Sequence, residues 1–363
     1  MEKRLLFAAL LSLAVLVLWE WIGPKPPRRP ATVPVAPPTA QPESAVSPVP
    51  SPVSAPAAPS DLRIAGTREG LTTIENSVAR ATFSNRGAVL SSFVLLKHTD
   101  EQRRPLELVR ALPDAAARPL ALDFPGRADL TKVAAGALYA VEKGPDRSVT
   151  FRYADERLQV EKGVRLSDGY LFDVRVSAAG APYTLLVGPG LRNPTEKERA
   201  SSYVMPPTGV ATVDGSIERF APGKLEKEES WTLPQNGFAG IEDNYFLAAL
   251  APRQPAAARV FPVAAAPPAG EAAGKPEALV AVGVTATGPL EARAYFGPKD
   301  VEILEGLQLG LERTVDFGWF GILARPLLWL LKKTYAWSGN YGLAILLVTL
   351  LVRILIFPLM HKS

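Results

Sequence analysis

Residues 71–96 read LTTIENSVARATFSNRGAVLSSFVLL, and the fold is decided in the middle of that run. Between Val78 and Phe83, the residues Val78, Arg80 and Thr82 alternate with Ala79, Ala81 and Phe83. A period of two is that of a half-buried strand. Asn85-Arg86-Gly87 follows with turn chemistry, and a second apolar run begins at once. The same texture recurs in SVTFRYADERLQVEKGVRLS (148–167), YLFDVRVSA (170–178), YTLLVGPGL (183–191) and ALVAVGVTATGPLEARAYFGP (278–298), with a further turn at Ser167-Asp168-Gly169. Long helical periodicity is almost missing before residue 300. The pattern predicts a mainly β protein, a large antiparallel β-sandwich over residues 61–315. The Ala/Pro-rich stretch 252–276 reads as a loop between strands.

Outward from the sandwich, composition changes sharply. Of 35 prolines, 13 fall within residues 23–60, mixed with Ala, Val and Ser. Such a stretch buries too little apolar area to fold and reads as an extended tether. At about 3.1 Å per residue its reach is on the order of 100 Å. Residues 61–315 carry 30 Lys/Arg against 32 Asp/Glu, so the net charge of +4 comes from the flanks. There the cations stand beside apolar runs, which points to a membrane. A basic stripe with interleaved aromatics, as nucleic-acid binding requires, is absent from the body.

Absent cysteine excludes disulfides and thiol chemistry and suits an oxidising compartment. Two histidines, His98 and His361, exclude a multi-histidine metal site. A Ser-His-Asp triad would have to use His98, in the polar stretch LKHTDEQRR. No catalytic residue, metal or cofactor is expected.

The first segment, MEKRLLFAALLSLAVLVLWEWIG, holds 18 residues from Leu5 to Ile22 that are apolar apart from Ser12 and Glu20. That length just spans a bilayer. Residues 1–22 are therefore expected to be a transmembrane anchor, with Lys3 and Arg4 favouring a cytoplasmic N-terminus. The alternative, a cleaved signal peptide, fits less well with the bulky LWEWIGPKPP where small residues are needed. Lys25, Arg28 and Arg29 beyond the helix pull against that orientation.

At the other end, PKDVEILEGL begins a helical pattern, and DFGWFGILARPLLWLLKKTYAWSG (316–339) is rich in Trp, Phe and Leu. Arg325 and Pro326 interrupt its apolar run and Lys332-Lys333 close it. An amphipathic helix lying in the membrane interface is expected, with Trp319, Phe320, Arg325, Pro326, Trp329, Lys332 and Lys333 as its contacts. The competing reading is an ordinary buried helix. Residues 340–363 then contain Tyr341–Met360, 20 residues with the length of a membrane span.

Arg353 lies inside that span, ten residues from Leu343 and seven from Met360. An arginine at such depth costs several kcal/mol. It either snorkels to the cytoplasmic face or faces a water-filled cavity or a partner helix. Thr349, one turn earlier, shares its face, so the two would form a polar stripe able to receive a polar or acidic segment of another chain.

At these residues the chain resembles the bacterial YidC membrane protein insertases. TVDFGWFGILARPLLWLLKKTYAWSGNYGLAILLVTLLVRILIFPL (314–359) carries most of the resemblance, with GFAGIEDNYFLAAL (237–250) and AYFGPKD (294–300) in support. The resemblance implies a periplasmic β-supersandwich of mutarotase-like fold without catalysis, in a multi-pass protein of the bacterial inner membrane. It also implies a core of five helices, of which Tyr341–Met360 would be the first. Those helices enclose a hydrophilic groove containing Arg353, with Thr349 contacting substrate. The implied partners are nascent membrane proteins, the Sec translocon and its accessory subunits, the ribosome through C-terminal parts, and lipid. The sequence stops at Ser363, so a fragment or a truncated product without the remaining core helices is expected. A membrane-tethered carbohydrate-binding or mutarotase-like protein is the alternative, and a scaffold a third. The former would need His and Asp/Glu clustered in a sandwich cleft.

Overall fold

The computed structural model describes residues 63–112, 118–193, 195, 198, 204–265, 277–315 and 321–361. Three antiparallel sheets form the body. A four-stranded sheet runs in the order β1 (Leu71–Glu75), β2 (Ala79–Ser84), β3 (Val89–Thr99), β4 (Pro105–Glu107). A five-stranded sheet is ordered β13 (Glu229–Thr232), β16 (Ala257–Ala265), β17 (Glu277–Ala286), β10 (Tyr183–Pro189), β5 (Leu122–Asp123). The nine-stranded sheet begins with β12 (Ser216–Phe220), β11 (Thr208–Val213), β14 (Ala239–Glu242), β15 (Phe246–Pro252) and β18 (Leu290–Pro298). It continues through β9 (Leu171–Ala179), β8 (Gln159–Leu166), β7 (Ser148–Ala154) and β6 (Ala140–Gly144).

The alternation that predicts β2 is the alternation that builds it. Ala79, Ala81 and Phe83 are buried, and Thr82 and Arg80 point away. Gly87 takes a positive φ of 74° in the turn that follows, a conformation that favours glycine. The smaller sheets cover the inner face of the large one. Phe83 and Phe93 from the four-stranded sheet meet Phe151, Phe172 and Phe296 from the large sheet at centroid separations of 5.4 to 6.1 Å. Edge-to-face rings at this distance gain about 0.5–1.5 kcal/mol beyond their buried area. The five-stranded sheet closes on the other half, where Val280 and Val282 of β17 stand over Gly209 of β11.

One core position breaks the apolar rule. β8 turns Val160, Lys162, Val164 and Leu166 inward, and Lys162 is fully buried. Its ammonium donates to the carbonyls of Ala88 at 2.8 Å and Leu120 at 2.5 Å. Burial, with no carboxylate to offset it, pushes its pKa down to about 7.

Two sequence expectations are corrected. The stretch 252–276 contains strand β16, paired to β13 and β17, rather than being a loop. β13 ends opposite Val260, so Pro262 lies where one side of β16 is free, and a proline is tolerated there. A short helix, α1 (Ala128–Gly136), also interrupts the strands. His98 belongs to β3, not to a loop. It packs edge-on to Tyr170 and Phe246, at 6.3 and 6.2 Å, with Nδ1 buried and unpartnered among the described residues. The carboxylate contact that a catalytic triad requires at that nitrogen is therefore absent there.

After β18 come α2 (Val301–Leu307), a 3₁₀ turn (Leu311–Thr314), α3 (Gly321–Ser338) and α4 (Tyr341–His361). The expected N-terminal anchor and tether, residues 1–60, lie outside the described residues. Among the described residues no helix is long and apolar enough to cross a membrane.

Candidate functional site

α3 and α4 form a hairpin. Asn340 begins α4, its side chain accepting from the amides of Gly342 at 2.8 Å and Leu343 at 3.3 Å. Gly339, with φ of 65°, reverses the chain before it. Tyr335 and Tyr341 stack across the corner at 3.8 Å. The first turn of α4 packs inward through Ala344, which is fully buried.

Outward, the hairpin is apolar to a degree not seen in the sandwich. Trp329 and Trp337 are 62% and 80% exposed, and Leu343, Ile345, Leu346, Leu350, Leu351 and Ile354 are exposed with them. Apolar surface of this extent marks an interaction or membrane surface. Thr349 and Arg353 share one face of α4, both exposed. The Thr349 hydroxyl donates back to the Ile345 carbonyl at 2.7 Å, leaving its lone pairs free to accept. Arg353 makes no ion pair or hydrogen bond among the described residues. With no carboxylate paired to it among the described residues, it can receive an anionic or polar group brought by another chain.

The interfacial helix is brought together in part. Pro326 is inside α3, exposed, and Trp329 is exposed beyond it. Lys332 pairs with Glu302 of α2 at 2.6 Å, and both side chains remain solvent-accessible. Lys333 follows on α3. Arg325 lies within α3 with its side chain outside the described residues, and Trp319 and Phe320 lie outside them entirely.

A second cluster joins two motifs that the sequence analysis quoted only as resemblances. Glu242 and Asp243 of the 237–250 motif are buried side by side. Glu242 Oε1 accepts from Arg219 Nε at 2.7 Å, and its Oε2 forms an ion pair with Lys299 of the 294–300 motif at 2.9 Å, without hydrogen-bond alignment. Asp243 accepts from Arg192 Nε at 2.6 Å and from the amides of Tyr245 and Phe246 at 2.8 Å each. Arg192 also pairs with Glu198 at 2.8 Å. Burial alone would lower the Arg192 pKa, but hydrogen bonds and charge from Glu198 and Asp243 outweigh it and raise it. Apart from Arg192 and Glu198, the ion-paired partners stand tens of residues apart in the chain, so no local signal announces the cluster.

The outer face of the large sheet is covered by α2 and the 3₁₀ turn on one half. On the other, over β7, β8, β9 and β18, it forms an open trough of about 1050 Å³. Arg165, Asp173 and Arg253 form one ion-paired row in it and Arg175 with Glu291 another. Neither an aromatic ring nor a histidine lines the trough. Among the described residues no group of His, Cys, Asp and Glu is arranged to hold a metal.

A family model described as the YidC periplasmic domain matches residues 71–330. The chain is similar to the membrane protein insertase YidC of Pelobacter propionicus, 28% identical over 100% of this chain and 68% of the relative. It is also 30% identical, over the same shares, to the protein of that name in Nitratidesulfovibrio vulgaris. Among solved structures it is similar to YidC from Thermotoga maritima (14% identity, 83% of this chain, 72% of that chain, TM-score 0.29). A galactose mutarotase-related enzyme from Lactobacillus acidophilus is another (13% identity, 62% of this chain, 97% of that chain, TM-score 0.42). At these TM-scores the structural likenesses are loose.

Proposed function

Because the chain belongs to the YidC membrane protein insertase family, we propose that it assists nascent membrane proteins into the bilayer, without covalent chemistry. The observation that carries this reading is the Thr349–Arg353 stripe: an exposed cation without a partner among the described residues, on a helix whose neighbouring side chains are exposed and apolar. In the proposed arrangement residues 1–22 anchor the chain with its N-terminus in the cytoplasm, and residues 23–60 tether the domain. Residues 61–315 stand in the periplasm, and residues 316–339, including Trp319, Phe320 and Arg325, rest at the bilayer interface. Tyr341–Met360 then crosses the inner membrane and gives one wall of a hydrophilic groove.

The physics of that wall is simple. A polar flank of a nascent segment loses its hydration on entering lipid, at a cost of several kcal/mol per unsatisfied group. Thr349 and Arg353 replace part of that hydration, while the apolar stretch of the same segment moves into lipid on its own. Nascent membrane segments and lipid are the proposed partners, with the Sec translocon, its accessory subunits and the ribosome as further ones. The Sec translocon would receive or deliver segments that this wall holds only briefly.

Site-specific photo-cross-linking tests the reading. A photoreactive side chain at Thr349 or Arg353 is expected to capture ribosome-bound nascent membrane segments, and one at Trp337 to capture few. Equal capture from all three positions would refute a substrate-facing stripe.

A further inference from the structure

Glu242 holds both ends of one segment. Lys299, at its start, places its ammonium 2.9 Å from Glu242 Oε2. Arg219 donates to Glu242 Oε1 at 2.7 Å and, through Nη2, to the carbonyl of Thr314 at 3.0 Å, at the segment's end. Between those ends Asp300 caps α2, accepting from Glu302 at 2.9 Å, and Leu304 and Leu311 are fully buried. Arg293 of β18 reaches the Leu307 carbonyl at 3.4 Å, and Arg313 bonds the Gly215 carbonyl at the β11–β12 turn. Residues 299–315 thus form a strap bound across the outer face of the large sheet, with one fully buried carboxylate beneath both ends.

In the sequence α3 begins at Gly321, six positions beyond the end of the strap. The strap also meets α3 sideways, through Glu302 and Lys332. A helix in the interface can direct nascent segments toward α4 only if its angle to the domain is fixed. We propose that Glu242 is a positioning residue for insertion: by fastening both ends of the strap it fixes how α3 and α4 leave the β domain. The inference rests on the insertion reading for its consequence and on the strap geometry for its mechanism.

Charge explains why a carboxylate is needed. In the ion-paired cluster beneath the strap Arg192, Arg219 and Lys299 balance Glu198, Glu242 and Asp243. Removing the Glu242 charge leaves Arg219 and Lys299, whose ammonium also donates to the Asp243 carbonyl at 3.3 Å, without their shared counter-charge, and a charge left unpaired when buried is strongly unfavourable. Removing Lys299 as well restores the balance.

The chain contains no cysteine, so spin labels can be placed singly. Asp168→Cys on the β8–β9 turn and Trp337→Cys on α3, both highly exposed, give a distance between domain and hairpin in the membrane-embedded chain. The native chain is expected to show one narrow distribution. Glu242→Gln should broaden it at least twofold and lower nascent-chain capture from position 349 severalfold, and Glu242→Gln with Lys299→Met should recover most of both. Lys299→Met alone removes only the side-chain tie at the start of the strap, where the Lys299 amide still donates to the Tyr245 carbonyl at 2.7 Å, and should broaden the distribution less, which keeps the test open if Glu242→Gln fails to fold. An unchanged distribution in folded Glu242→Gln overturns the proposal. So does a broadened one with undiminished capture. If the native chain captures nothing, the insertion reading fails, and with it the role in insertion, while the distance distributions still decide whether Glu242 fastens the strap.

Discussion

The β domain and the α3–α4 hairpin treat their surfaces in opposite ways. In the domain, exposed charges are paired in rows, such as Arg152 with Glu142 and Glu161, and apolar side chains turn inward. In the hairpin, Trp329, Trp337, Leu346 and Leu350 face outward, and the cation Arg353 has no partner among the described residues. Each pattern is stable only in its own solvent. Water solvates the charged rows and drives the Phe cluster together, whereas lipid accepts the exposed leucines and leaves an arginine as the costly feature.

The most damaging way to break the comparison lies in the domain core. Phe172 touches Phe83, Phe93 and Phe296. Phe172→Ala is expected to cost about 3–5 kcal/mol in chemical denaturation. A loss below about 1 kcal/mol would mean that the sheets do not depend on one another's burial.

Lys162 sharpens the comparison by being the domain's own version of a buried cation. Its folded pKa of about 7 lies below the unfolded value of 10.5. Between these values the unfolded chain binds more protons, so stability rises with pH across that window and is lost as pH falls toward about 7. The full effect is a few kcal/mol. Lys162→Met should flatten the rise, while leaving the Ala88 and Leu120 carbonyls unpaired. Parallel stability–pH curves for the two proteins would show that Lys162 stays charged in the fold.

The smallest effect belongs to the surface. Arg80 and Glu75 pair at 2.7 Å with both side chains about half exposed. Solvent screens such a pair, so Arg80→Ala should change stability by less than about 1 kcal/mol. A larger loss would mean that the paired rows hold the domain together.

Strands with clean alternation, β2 above all, were legible because a half-buried strand and its sequence share a period of two. β16 was not, since Ala and Pro mask that period and only the pairing to β17 reveals it. Lys162 was hidden for the reverse reason: its position follows the buried pattern of Val160 and Val164, and its charge contradicts it. Arg353 and Thr349 stood out because a polar residue in a long apolar run has no cheap explanation. Glu242 could be noticed only as part of a motif. Its partners Arg219 and Lys299 come from β12 and the end of β18, and a charge in a sequence does not name its counter-ion.

The central claim is that one helix presents two solvents on different faces. With 3.6 residues per turn, Leu343, Leu351 and Ile354 lie about a quarter turn or more away from Thr349 and Arg353. Spin labels placed singly along α4 in lipid vesicles, read for collision with oxygen and with a water-soluble nickel complex, measure that directly. Positions 343, 351 and 354 should favour oxygen, and 349 and 353 should favour nickel. Oxygen preference at all five positions would place Arg353 against lipid and remove the polar stripe on which the proposed function stands.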